Sequence, residues 1–292
     1  MPNYKIISDS SCDLPEQLRN ELEIDLVPFY VSLDQKKYYK EITELGIDEF
    51  YSEVVANNLF PKTSLPTIQD YMDIFENYLK QGLDIICFCL TSKFSGSYQS
   101  AVNAKGILLE NYPSRKIEVI DSIQATGGQG LIVYEAGKMR QEGYSFQEVI
   151  EKSNKLKETA RINFTLDSLD HLQKGGRIGK VSALAGTILN IKPIIVVKDG
   201  ELIPDSKVRG HKKALQEIIS KTVKEIGQEK EKYDVCLLNS CREEAVAYVE
   251  KVLSENHGIS IIKPIFRVGV TICTHAGPTA LGICYIRKFD SI

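Results

Sequence analysis

Strand-length apolar runs alternate along this chain with segments whose apolar residues recur at helical spacing, and nothing else in the sequence constrains the fold as strongly. Tyr4–Ser8, Leu26–Leu33, Ile85–Leu90 and Ile117–Ile120 are expected to be strands. Between and after them, Leu14–Leu22 (opened by Asp13 and Pro15), Asp48–Val55, Ile68–Leu79, Ser97–Leu109 and Gly130–Arg140 carry helical patterns. A strand buried on both faces reads as a continuous apolar run, whereas a covering helix shows a period of 3.6 residues. The alternation predicts a parallel sheet with helices on both faces, in which ligands gather beyond the carboxyl ends of the strands.

A helical stretch over Phe146–Thr159 closes this first unit, and the second half is more mixed. Ile162–Leu166, Val235–Asn239, Ile259–Ile265 and Leu281–Ile286 are expected to be strands, and His211–Ile226 and Glu243–Leu253 helices. Asp199-Gly200 between Ile194–Val197 and Leu202–Pro204 predicts a hairpin, because that dipeptide accepts the positive φ angles of a tight turn. The 292 residues are long for one core and sufficient for two. The expectation is two α/β domains, a mostly parallel N-terminal one over 1–155 and a mixed-sheet C-terminal one over 156–292.

Charge and cysteine content exclude several functions. Lys plus Arg number 36 against 39 Asp plus Glu, a formal net charge of −3, without the basic excess that coating nucleic acid demands. No basic opening leads into an apolar run, and the longest apolar stretches are too short to span a bilayer. Stable membrane insertion is therefore not expected, and a cytoplasmic location is. Seven cysteines are scattered through apparent strands, with Cys87 and Cys89 on one strand face. Their spacing matches no metal site, so buried free thiols and no metal or cofactor are expected.

Several segments could carry chemistry. Asp9-Ser10-Ser11-Cys12-Asp13 follows the first strand; its carboxylates either do acid–base or metal work or, more simply, bind turn amides and cap the next helix. Lys62-Thr63-Ser64-Leu65-Pro66-Thr67 either initiates a helix with Thr67 as its cap or places Thr63 and Ser64 at a polar mouth that donates to an anion. Leu90–Tyr98 crowds hydroxyls at the end of a buried strand. Ser95 and Gly96 there either belong to a plain capped strand-to-helix turn or would suit a carboxylate or phosphate.

Lys174-Gly175-Gly176-Arg177 fails as a phosphate loop, and a glycine C-cap after an Asp167–Gln173 helix accounts for the glycines, leaving Arg177 free to pair with an anion. His275, within Thr274–Pro278, is either structural, a donor to a bound carboxylate, or a base for Ser95. His171, His211 and His257 read as surface or capping residues. The basic run Lys207–Lys213, containing Arg209, is either a solvated face or a docking patch for an acidic partner.

Together these segments resemble the DegV family, which includes the fatty-acid-binding subunits of bacterial fatty acid kinase. The likeness runs along nearly the whole chain: Asp9–Asp13, Lys62–Thr67, Leu90–Ala101 with Ser97 in a threonine place, Leu169–Ile178, Lys192-Pro193 through Arg209, and His275-Ala-Gly-Pro278 occur in the family's order. Leu65 and Thr279 depart from the residues common at those places. The resemblance implies a long-chain fatty acid in a tunnel between the domains, with its carboxylate held by Thr63, Ser64, Ser95 and Gly96 and with His275 and Arg177 nearby. It also implies a separate ATP-dependent kinase subunit that docks at Arg209 and converts the carboxylate to an acyl phosphate for phospholipid synthesis. The chain itself would then be a carrier and no enzyme. Two other readings compete: a Ser/His-dependent ester or acyl hydrolase, against which stands the lack of a Gly-x-Ser-x-Gly elbow, and a regulator binding a polar small ligand.

Overall fold

A computed structural model describes residues 3–184 and 190–292. The first half runs β1 (Tyr4–Asp9), α1 (Glu16–Glu21), β2 (Ile24–Val27), β3 (Tyr30–Ser32), β4 (Tyr39–Lys40), α2 (Ile47–Asn57), β5 (Lys62–Ser64), α3 (Ile68–Lys80), β6 (Asp84–Cys89), α4 (Ser97–Asn111), β7 (Ile117–Asp121), α5 (Thr126–Gln141) and α6 (Phe146–Leu156). The second runs β8 (Arg161–Thr165), α7 (Asp170–Lys174), β9 (Ile191–Lys198), β10 (Glu201–Arg209), α8 (His211–Ile226), β11 (Tyr233–Asn239), α9 (Glu243–Lys251), β12 (Phe266–Arg267), α10 (Val270–Ala276) and β13 (Leu281–Arg287).

The expected α/β architecture is present in both halves. Strands β2-β1-β6-β7 form a wholly parallel sheet. Its central strands are buried along their length, as continuous apolar composition requires. A six-stranded sheet, β10-β9-β8-β13-β11-β12, is antiparallel except for its β11–β12 edge. Helix α5, buried on nearly every face, packs against strands of both sheets, so one apolar core runs through the two halves. Gly127, Gly128 and Gly130 allow this approach: a Cβ at Gly128 would stand 2.8 Å from the Ile162 side chain.

Sequence signals explain several boundaries. Thr67 and Asp70 close a reciprocal capping box at the start of α3, as Ser145 and Glu148 do for α6. Asp199 and Gly200 take φ angles of 51° and 79° in the predicted hairpin. After α7, Gly176 at φ 70° lets the Arg177 amide reach the Leu172 carbonyl at 2.9 Å, the predicted glycine cap.

Two expectations fail. The single strand expected over Leu26–Leu33 is two, because Pro28 cannot donate to the ladder and the chain leaves the parallel sheet there. Its continuation, β3, founds a small antiparallel sheet, β4-β3-β5, in which Val31 faces Thr63. No strand forms over Ile259–Ile265. Pro264 offers no amide, the Ile262 amide bonds Val235 singly, and pairing with β11 begins only at Phe266.

Candidate functional site

The carboxyl ends of the parallel strands and one face of the six-stranded sheet enclose a cavity. Phe29, Leu90 and Ala125 follow β2, β6 and β7; Ile162, Val197 and Leu238 line the opposite wall. Its lining is largely apolar.

Its polar members Thr63, Ser95, Arg177 and His275 come from four segments distant in sequence. Thr63 stands on β5, and its hydroxyl lies 2.9 Å from Nε2 of His275 in the last turn of α10. Ser95 lies in the loop between β6 and α4. Its Oγ accepts the Ser97 amide at 3.2 Å, which leaves its own O–H to donate elsewhere. Arg177 joins the two sides: Nε donates to the Phe94 carbonyl at 3.1 Å and Nη1 to the Gly175 carbonyl at 2.7 Å. Gly175 packs so closely on His275 that a Cβ there would collide with Nδ1. Ser64 and Leu65 complete the rim, and both are exposed.

Burial, then the charges of Arg177 and His171, hold the His275 imidazole down to about 4, so it is neutral at physiological pH. A neutral ring carries one N–H. Nδ1 is buried and has no hydrogen-bond partner among the described residues. Placing the proton there would strand a buried donor, which favours Nε2–H donating to Thr63 and leaves the Thr63 hydroxyl hydrogen for another acceptor. Thr63 and Ser95 thus each keep an O–H group to donate.

The remaining residues singled out from sequence fall variously. Gly96 is exposed beside the rim and does not line the cavity; a Cβ there would touch the Leu65 side chain at 3.7 Å. Arg209 ends β10, exposed and outside the cavity. Thr279 is also outside it, its hydroxyl accepting the Asp167 amide at 3.1 Å. His171 is no ordinary surface residue. It is half-buried, Nδ1 lies 3.2 Å from the Thr274 carbonyl, and its ring stacks on Phe60 at 4.6 Å.

The opening acidic motif is corrected too, since neither carboxylate caps α1. Asp9 is fully buried and accepts from Ser11, Ser97, Gln129 and the Leu90 amide, tying the Ser95 loop to β1. Asp13 reaches Thr126. Among the described residues no group of His, Cys, Asp and Glu is placed to hold a metal ion. Six cysteines are buried free thiols and Cys241 is exposed, with Cys87 and Cys89 sulfurs 3.9 Å apart on one face of β6. No helix among the described residues is long and apolar enough to cross a membrane.

Sequence reasoning missed Thr126, Thr271 and Ile272 in the lining, and with them the whole of α10. The seven residues of α10 give too short a periodic pattern, and only Gly269 and Gly277 at its ends mark it.

A family model described as uncharacterised protein, DegV family, matches residues 3–288. A DegV domain-containing protein of Clostridium acetobutylicum is 35% identical over 99% of this chain and all of its own length. Among solved structures, a stearic acid-binding protein from Eubacterium ventriosum superposes with a TM-score of 0.94 at 36% identity, over 99% of this chain and 100% of that one. A fatty-acid-binding DegV family protein from Thermus thermophilus superposes with a TM-score of 0.87 at 29% identity, over 98% and 99%. The chain belongs to the DegV family.

Proposed function

We propose that this DegV-family protein binds a long-chain fatty acid in the cavity between its halves and presents the carboxylate to a separate ATP-dependent fatty acid kinase. One observation carries the reading: a largely apolar cavity has in its lining two hydroxyls, Thr63 and Ser95, whose hydrogens are left to donate. At about 0.8 kcal/mol per buried CH₂, a sixteen-carbon chain gains on the order of 10 kcal/mol from such a wall. An unpaired buried carboxylate would cancel much of that gain, and the hydroxyl pair answers the need. The fatty acids bound by the Eubacterium and Thermus relatives support the same assignment.

In this reading Thr63 and Ser95 hold the carboxylate, His275 orients Thr63, and Ser64, Gly96 and Arg177 shape the rim. One carboxylate oxygen stays open to phosphoryl transfer, giving an acyl phosphate for phospholipid synthesis. Arg209, exposed with Lys207, Lys212 and Lys213 close in sequence, is the proposed docking face for the kinase. The chain is a carrier without catalysis of its own, and its free thiols fit a reducing cytoplasm.

A Thr63–His275 pair resembles a nucleophile and its base. No carboxylate orients Nδ1 among the described residues, however, and the third member of a hydrolytic constellation is missing. Mass spectrometry of ligand released by denaturing the purified protein, set against its native mass, tests the carrier reading. A stoichiometric fatty acid supports it. A protein that is empty and refuses added fatty acids overturns it.

A further inference from the structure

Three buried carboxyls, Asp9, Asp13 and Glu41, lie behind the cavity wall, and two of them have no part in the function proposed above. Glu41 is fully served: Ser10 Oγ and Thr271 Oγ1 each donate to Oε2 at 2.7 Å, and the Thr271 amide donates to Oε1 at 3.2 Å. Ser10 is fixed in turn by the Phe29 amide at 2.9 Å. Thr271 is the second residue of α10, so Glu41 caps from outside the helix that carries Ile272 and His275.

Asp13 is served by half. Oδ2 accepts from Thr126 Oγ1 at 2.6 Å, while Oδ1 is buried with no hydrogen bond among the described residues. Asp13 Oδ1 and Glu41 Oε1 crowd the same side of Gly269: a methyl there would collide with the first and stand 2.8 Å from the second. Two carboxyls so placed disfavour each other's ionisation. Glu41, with three donors, is the better-served carboxylate, so of the two it is Asp13 whose charge is more disfavoured. The direction of each group's titration agrees: burial raises both, and the charge of Glu41 pushes Asp13 well above the carboxylate range.

The pair faces the ligand indirectly. Thr126 and Thr271 both line the cavity, and each has its hydroxyl hydrogen committed to a carboxyl behind the wall.

We propose that Glu41, supported by a protonated Asp13, is a positioning residue for the head-group site, fixing the start of α10 so that His275 at its end meets Thr63. This rests on the reading of Thr63 and His275 as the carboxylate end of a lipid site.

The test combines ¹⁵N NMR of the histidine rings with fatty-acid affinity, in the wild type and in Glu41→Ala, Glu41→Gln, Asp13→Asn and Asp13→Ala. Asparagine copies a protonated aspartic acid, so Asp13→Asn keeps the Nε2–H signature of His275 and wild-type affinity, whereas Asp13→Ala does not. Glu41→Ala loses that signature and about tenfold or more in affinity, as expected for lost hydrogen bonds to a charged group; Glu41→Gln, which keeps the shape and loses the charge, shows a smaller loss in the same direction. A Glu41→Ala protein that melts earlier yet keeps the His275 signature and affinity overturns the proposal. So does a Glu41→Gln protein that matches wild type while Asp13→Asn does not. If Glu41→Ala fails to fold, the two amide variants decide by the same criteria. A wild type that binds no fatty acid sinks the lipid reading alone, since the ring signature is read without ligand.

Discussion

Nε2 of His275 meets the Thr63 hydroxyl at 2.9 Å across 212 positions of sequence, and the meeting turns a threonine into an oriented donor. Without the imidazole the Thr63 proton would be free to point at its neighbour or at solvent. With Nε2–H donating to it, the hydroxyl's acceptor side is occupied and its hydrogen is left for another partner.

Thr63→Val keeps the volume and deletes the donor. A hydrogen bond to a charged partner contributes about 1.5–3 kcal/mol, so fatty-acid affinity should fall roughly ten- to a hundredfold. Calorimetric titration of ligand-stripped protein checks it, and unchanged affinity would remove Thr63 from the site.

Gly175→Ala adds one methyl where the backbone, at φ −77°, accepts alanine without strain. The methyl collides with His275 Nδ1, so the ring must move away from Thr63. The variant should lose affinity about as Thr63→Val does while melting within a few degrees of wild type. A variant binding like wild type would mean that the ring tolerates displacement.

His275 gives the ligand-free protein a pH dependence of known sign. Its imidazole titrates near 4 in the folded chain and near 6.5 in an unfolded one. Above 6.5 both states are neutral and nothing is lost. As pH falls from 6.5 towards 4 the unfolded state takes up the proton first, and stability drops by roughly 3 kcal/mol. His275→Gln should flatten that part of the curve in denaturant melts across this range; identical slopes would refute the assignment.

Phe60 is held between His171, with ring centroids 4.6 Å apart, and Lys174, whose Nζ is 3.1 Å from its centroid. These contacts fasten the segment before β5 to α7 beside the mouth. Phe60→Ala should release a fluorescent fatty acid several-fold faster while leaving the association rate nearly unchanged, as interface losses usually act on dissociation. Stopped-flow displacement measures both.

Val197 lines the cavity and is buried. Val197→Phe fills part of it, so preference should move to chains shorter by about two to four carbons, each lost methylene forfeiting about 0.8 kcal/mol. Competition among saturated fatty acids of graded length reports the shift.

Much of this was written locally. Continuous apolar runs predicted β1, β6 and β7, the Asp199-Gly200 pair predicted its hairpin, and helix α8 spans the residues its periodicity indicated. Periodicity and turn chemistry act over a few residues, so they survive in the bare sequence. The hydroxyl-rich Thr63 and Ser95 segments and the His275 turn were also visible as polar groups in suggestive places. What they do there was not.

Only the tertiary structure decided that His275 pairs with Thr63 and not with Ser95, that Arg177 spans from Phe94 to Gly175, and that Glu41 holds a helix 230 positions away. The small β4-β3-β5 sheet, which places Thr63, escaped because its strands are two or three residues long, below the reach of any period. Glu41 carries no mark of burial in its own neighbourhood. A carboxyl enters a core only where distant donors converge on it, and that convergence belongs to the folded chain.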